Sequence, residues 1–168
     1  ADRIRAALAA GDPGPRVPVH GDLHPGNLHV DAAGERITGV LDADDLGTGH
    51  RVDDWAVLIA HLEAGAADLG AGGAALRAVA ARFRRHARSE VDEVALAARV
   101  ATVLAALAAQ PTAPRAVRSA RRAAADAALA GRIGDPWADL ERVAQAQRNL
   151  YLPYRQLESA AGQRSQLY

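Results

Sequence analysis

The spacing of apolar and polar residues changes along the chain, and the change predicts its elements. Residues 2–10 (Asp2-Arg3-Ile4-Arg5-Ala6-Ala7-Leu8-Ala9-Ala10) read as the end of a helix, and Gly11-Asp12-Pro13-Gly14-Pro15 breaks it. Val17-Pro18-Val19 is a short extended run. Leu28-His29-Val30 alternates as a strand does, Ala32-Ala33-Gly34-Glu35 is turn chemistry, and Arg36 to Leu41 is a second strand rich in β-branched residues. These two strands are expected to pair as an antiparallel hairpin. Residues 43–52 read as a loop. Helical spacing then takes over: Asp53 is placed to cap a helix whose apolar face holds Trp55, Val57, Leu58 and Leu62. Further helices are expected at about 69–88, 91–109 and 113–131, broken near Ser89 and at Pro111 and Pro114. Gly70-Ala71-Gly72-Gly73 reads as a loop between helices. The predicted class is α+β and mostly helical, with a small β element near the N-terminus.

Composition refines this picture. A length of 168 residues suits one domain and can bury a real core. Apolar residues make up 49% but aromatics only 4%, so alanine-rich helices should pack closely through small side chains. A formal net charge of +0 gives no global attraction to nucleic acid or to an anionic membrane. Arg82, Arg84, Arg85 and Arg88 read as a solvated helix face. No cysteine is present, which excludes disulfides and thiolate metal sites. No run of about 18 apolar residues predicts a membrane span. No signal peptide is visible, so the expected compartment is the cytoplasm. The chain has no methionine, even at position 1, which implies an incomplete reading frame. It also has no lysine: all 20 basic residues are arginines, so chemistry that needs a lysine ammonium cannot be done by this chain alone. Residues 135–168 differ in character, with three tyrosines, one tryptophan and most of the glutamines. They read as a final amphipathic helix packed on residues 1–134, or else as an artificial or gene-model junction.

The candidate chemistry lies in His20-Gly21-Asp22-Leu23-His24-Pro25-Gly26-Asn27. Its pattern, H-x-D-L-x-x-x-N, has the spacing of a kinase catalytic loop. Phosphoryl transfer needs a carboxylate beside the acceptor hydroxyl and a neutral oxygen ligand for the Mg²⁺ on the nucleotide phosphates. An Asp and an Asn five residues apart on a tight loop can supply both, and Gly21, Pro25 and Gly26 allow the turn. A second piece is Gly39-Val40-Leu41-Asp42-Ala43-Asp44, an apolar strand that ends in an acidic residue. A turn centred near residue 34 or 35 would bring Asp42 opposite Asn27, so that the two could share one ion.

The segments "VHGDLHPGNLHVD" and "ITGVLDADDLGTGHRVDDWAVLIAHL" resemble the aminoglycoside phosphotransferase family, also called the choline-kinase-like or APH family. The resemblance is strong over about residues 17–64 and looser over the alanine-rich helices. It implies a protein-kinase-like C-terminal lobe, with the hairpin at the catalytic loop and a helical bundle beyond it. It implies ATP (or another nucleoside triphosphate) and Mg²⁺ as cofactors, and a small hydroxyl-bearing acceptor such as an aminoglycoside, choline, a sugar or homoserine. Asp22 would be the catalytic carboxylate, and Asn27 and Asp42 the metal ligands. His20 would tie the loop to the backbone near Asp42, and Asp54 would brace the loop by accepting backbone N–H bonds. His24 could touch substrate or metal or stand behind these residues, and Asp44 could sit near the metal or face solvent. Asp44, Asp45, Glu63, Asp92 and Glu93 are candidates, by type only, for contacting a cationic acceptor. His29 reads as a half-buried strand residue, and His50, His61 and His86 as solvated.

An enzyme of this class also needs a lobe that covers the nucleotide and a lysine that holds its phosphates. Only 19 residues precede the motif, and no lysine exists. The expectation is therefore a C-terminal lobe whose N-terminal lobe is missing, with weak or no activity on its own. Two other readings stand beside it. One is a metal-dependent phosphoesterase, because "GDLH" resembles the start of a binuclear metal motif and His20, Asp22, His24 and His29 are all metal-ligand types. The other is a non-catalytic, pseudokinase-like fragment.

Overall fold

The computed structural model describes residues 2–130. The segment 135–168, read above as a helix or a junction, lies outside the described residues. In chain order the elements are α1 (Asp2–Ala10), β1 (Arg16–Val19), β2 (Leu28–Val30), β3 (Ile37–Val40), β4 (Gly47–His50), α2 (Arg51–Asp68), α3 (Ala74–Ala87), α4 (Glu93–Ala109) and α5 (Arg115–Leu129). One-turn 3₁₀ segments precede β2 (Pro25–Asn27) and α3 (Gly70–Gly73). The fold is mixed α+β, with small antiparallel ribbons and a mostly helical remainder.

Helix α2 is the centre of the packing because it is apolar on two faces. Val52, Ala56, Ile59, Ala60 and Ala64 meet Leu96, Val100, Ala101 and Leu104 of α4 and Ala125 and Ala128 of α5. On its other side Leu58 and Leu62 meet Ala80 of α3, with Leu76, Val79 and Phe83 at the edge. The face expected from spacing named only the second of these faces, with Trp55 partly buried between the two clusters. Alanine dominates the larger cluster, and its small side chains let the helix axes approach closely. Two arginines tie neighbouring helices to α2: Arg99 donates to Asp53 at 2.6 Å, and Arg121 is bidentate to Asp68 at 3.0 and 2.6 Å. The side-chain bond from Asp68 holds Arg121 above its ordinary pKa.

The basic stretch of α3 is not uniformly solvated. Arg82, Arg85 and Arg88 are exposed, but Arg84 is buried, because its position falls on the same helix face as Ala80 and Ala87. Glu63 of α2 is buried too. Burial raises the Glu63 carboxyl above its ordinary value, against the opposing attraction of Arg84 and Arg77. Burial likewise lowers Arg84, against the pull of Glu63. Glu63 Oε1 and Arg84 Nε and Nη2 make no hydrogen bond.

The β elements form two separate antiparallel ribbons, β1 with β4 and β2 with β3. The expected β2–β3 hairpin is present. Its turn is the expected one, residues 32–35, closed by Asp31 N–H to Arg36 O; within it Gly34 N–H donates to Asp31 O and Glu35 N–H to the Asp31 carboxylate. A bulge between His29 and Val30 then sets Leu28 opposite Val40. Strand β4 was read as loop. It is Gly47-Thr48-Gly49-His50, with no apolar alternation to mark it, and it pairs with β1 from Arg16↔His50 to Val19↔Gly47. This second ribbon closes the base of everything between residues 20 and 46.

Candidate active site

His50 ends β4 and precedes α2, whose first turn faces the loop that follows β1. Asp53 does not cap this helix from the N-cap position. It lies one turn in, where its carboxylate accepts the His50 N–H at 3.0 Å. Asp54, beside it, accepts from two backbone N–H groups of the preceding loop: His20 at 2.9 Å and Gly21 at 3.0 Å. An acidic side chain is favoured in the first turn of a helix, and here it also anchors a loop 33 residues earlier in the chain. Gly21 has φ +87, and a Cβ there would sit 2.8 Å from Asp45 O, so only glycine fits between the two loops.

His20 is buried, and its ring bridges two segments. Its Nδ1 accepts the Asp22 N–H at 3.3 Å. The proton of the neutral ring therefore sits on Nε2, which donates to Leu41 O at 2.9 Å. Leu41 N–H in turn donates to Asn27 O at 2.8 Å. Both backbone polar groups of Leu41 are thus held by the His20–Asn27 segment, and Asp42 follows directly. The hairpin puts Leu41, not Asp42, opposite Asn27: the Val30↔Ile37 pair centres the turn between Ala33 and Gly34, earlier than expected, and the bulge makes up only part of the difference. Asp42 is the one non-glycine residue with positive φ (57°) among the described residues. Asp and Asn reach that region more readily than other side chains.

Asn27 is buried at the end of the 3₁₀ turn. Its Nδ2 donates to Asp22 O at 3.0 Å, which fixes the amide orientation and leaves Oδ1 as its acceptor atom. Asn27 Oδ1 and the Asp42 carboxylate are both hard oxygen donors of the kind Mg²⁺ takes. The donor set therefore fits such an ion.

The Asp22 side chain is 44% exposed, open to an incoming group. His24 Nε2 lies 3.6 Å from Asp22 Oδ2, and His24 Nδ1 accepts the Gly26 N–H at 3.0 Å. The His24 ring stacks on His61 of α2, with centroids 4.8 Å apart and an interplanar angle of 27°. His61 is therefore not a solvated residue. Sequence spacing had no way to find this pair, since 37 residues and four elements separate its members.

Asp44 is exposed in the turn closed by Leu46 N–H to Ala43 O, and it makes no bond to the segment above. Of the acidic residues considered for an acceptor, only Asp44 and Asp45 lie on a loop beside Gly21. Glu63 is buried between α2 and α3, Asp92 accepts from Ala95 and Asp12 N–H groups, and Glu93 pairs with Arg88. His29 is exposed, not half-buried, and its Nδ1 lies 3.1 Å from Thr38 Oγ1. His20, Asp22, His24 and His29 do not converge on one point. Among the described residues no three His, Asp or Glu side chains are placed to hold a metal ion.

A family description of phosphotransferase enzymes, APH, matches residues 1–87, just over half the chain. The chain belongs to the phosphotransferase enzyme family. No curated protein and no solved structure matches it. The region matched by the phosphotransferase family runs from α1 through both ribbons and α2 to the end of α3. It includes His20, Asp22, His24, Asn27, Asp42, Asp54 and His61. Helices α4 and α5 lie beyond it and supply the far wall of the core. Among the described residues no helix is long and apolar enough to cross a membrane.

Proposed function

We propose that this chain carries the catalytic portion of an ATP-dependent phosphotransferase whose acceptor is a hydroxyl on a small molecule. One observation supports the reading most strongly. A half-exposed carboxylate, Asp22, stands on a loop whose backbone is held by Asp54 and His20, beside an Asn27 whose amide oxygen is pre-oriented. Asp22 would orient the acceptor O–H and take its proton as the new oxygen–phosphorus bond forms. The bond between the γ-phosphorus and its bridging oxygen breaks, and ADP leaves with the electron pair. Asn27 Oδ1 and Asp42 would hold Mg²⁺, which when bound supplies positive charge against the phosphate oxygens. His20 and Asp54 touch no substrate in this scheme. They hold the loop and the backbone at Leu41 in place.

The same reading makes this chain the C-terminal lobe of a kinase-like fold. Any ammonium that grips the nucleotide phosphates must come from outside these 168 residues, because they contain no lysine. The test is phosphorylation of small hydroxyl compounds by the natural full-length protein with Mg²⁺-ATP. Asp22→Asn should lower turnover by about 10²- to 10⁴-fold while leaving the melting temperature unchanged. Wild-type turnover in that variant would remove Asp22 from its role.

A further inference from the structure

The His24–His61 stack lies apart from the contacts by which Asp54 and His20 anchor the loop. Its geometry gives it a different job. His24 accepts the Gly26 N–H on Nδ1, so its neutral ring carries the proton on Nε2, the atom that faces Asp22 Oδ2. The ring lies close over Gly26, where a Cβ would come 2.7 Å from His24 Cε1, so glycine at that position leaves room for it. Across its face stands His61. That ring is itself fixed: its Nδ1 donates to Val57 O at 3.0 Å, one turn earlier on α2. Helix α2 is held in turn by the core on both of its apolar faces. A separation of 3.6 Å is too long for a direct hydrogen bond, but contacts of this kind commonly shorten once substrate is bound.

We propose that His61 is a positioning residue for phosphoryl transfer. Acting through His24, it holds an N–H against Asp22 Oδ2 and so leaves Oδ1 to the acceptor hydroxyl. This inference rests on the catalytic reading of Asp22. On this account the ring face of residue 61 supports His24, and its Nδ1 bond to Val57 O only helps to hold that ring.

The experiment uses the natural full-length protein and follows turnover of Mg²⁺-ATP with water as the acceptor. His61→Ala should lower kcat roughly 10- to 100-fold, the scale of a small misplacement of a reacting group, with KM for ATP unchanged. His61→Phe keeps a flat ring and should restore most of kcat. His24→Phe removes the N–H donor and should fall as far as His61→Ala. Combining the two should cost nothing more, because both act on one contact. Long-range ¹H–¹⁵N spectra of the imidazoles give a readout that does not depend on turnover or on the stability of the variant. His24 should be the Nε2–H tautomer in the wild type and in His61→Phe; in His61→Ala the unsupported ring is expected to swing off the Gly26 N–H that fixes its tautomer, and the signal should average. An unchanged His24 signal in His61→Ala, an unchanged kcat, or a His61→Ala effect that persists in full in the His24→Phe background would each overturn the inference. Asp22→Asn, run alongside, separates the two levels. Full turnover in that variant overturns the catalytic reading and this inference together, whereas full turnover in His61→Ala alone overturns only the inference.

Discussion

Asp54 gives each carboxylate oxygen to a different backbone N–H, one from His20 and one from Gly21. Replacing it with alanine leaves both donors without that acceptor. Unmade bonds of this type cost about 1–3 kcal/mol, so Asp54→Ala should lower the unfolding free energy by that amount in urea titration. Phosphoryl transfer should fall further than the lost stability explains, because Asp22 is the next residue on the released loop. Glu63 gives a second test. Burial raises its carboxyl above the ordinary value, so the neutral form is favoured in the folded state. That stabilising contribution is complete below the unfolded value and is lost as pH rises through the folded value. Glu63→Gln should therefore raise the melting temperature at neutral pH, and the gain should vanish as the solution is acidified toward 4.5. A gain that stays constant with pH would contradict this origin. At this scale the sequence was legible in placing His20, Asp22 and Asn27 together on one tight loop, where the structure joins them by hydrogen bonds. It was not legible for His61 or Arg84, whose surroundings are set by how helices pack and not by their neighbours in the chain.

Helix α2 is the element that connects the core to the loop. Its first turn holds the loop through Asp54, its next turns carry the two apolar faces, and its end meets the 3₁₀ turn before α3. Gly73 lies in that last contact. A Cβ there would come 2.1 Å from Ala66 O, a backbone atom of α2 that cannot give way alone. Gly73→Ala should therefore force α2 and α3 apart and cost about 1–3 kcal/mol, the usual scale of overpacking. Thermal unfolding monitored by circular dichroism would measure it. The helices of this region were readable from their helical spacing and because breaks near Ser89 and at Pro111 and Pro114 mark their ends. The β2–β3 hairpin was readable from alternation and turn residues, but its register was not. The turn is centred one residue earlier than expected and the bulge makes up only part of the difference, so Leu41 takes the place expected of Asp42. Strand β4 was invisible because two of its four residues are glycine and none is aliphatic. It is a strand because β1 supplies its partners.

At the scale of the whole molecule, a helical core presents one loop assembly on the side where the ribbons lie. The match to the phosphotransferase enzyme family covers that assembly and the two helices beneath it. Without a lysine, the 168-residue chain should transfer phosphate from ATP slowly or not at all by itself. Efficient transfer by the isolated chain would refute the proposal that part of the nucleotide site lies outside it. The central claim is that Asp22 is the carboxylate of a phosphoryl-transfer site. The most direct measurement is ³¹P NMR of Mg²⁺-ATP consumption by the natural full-length protein, wild type against Asp22→Asn, with folding of both checked by melting temperature. The account predicts a phosphorylated hydroxyl product from the wild type and a loss of about 10²- to 10⁴-fold in the equally folded variant. Equal rates in the two proteins would contradict it.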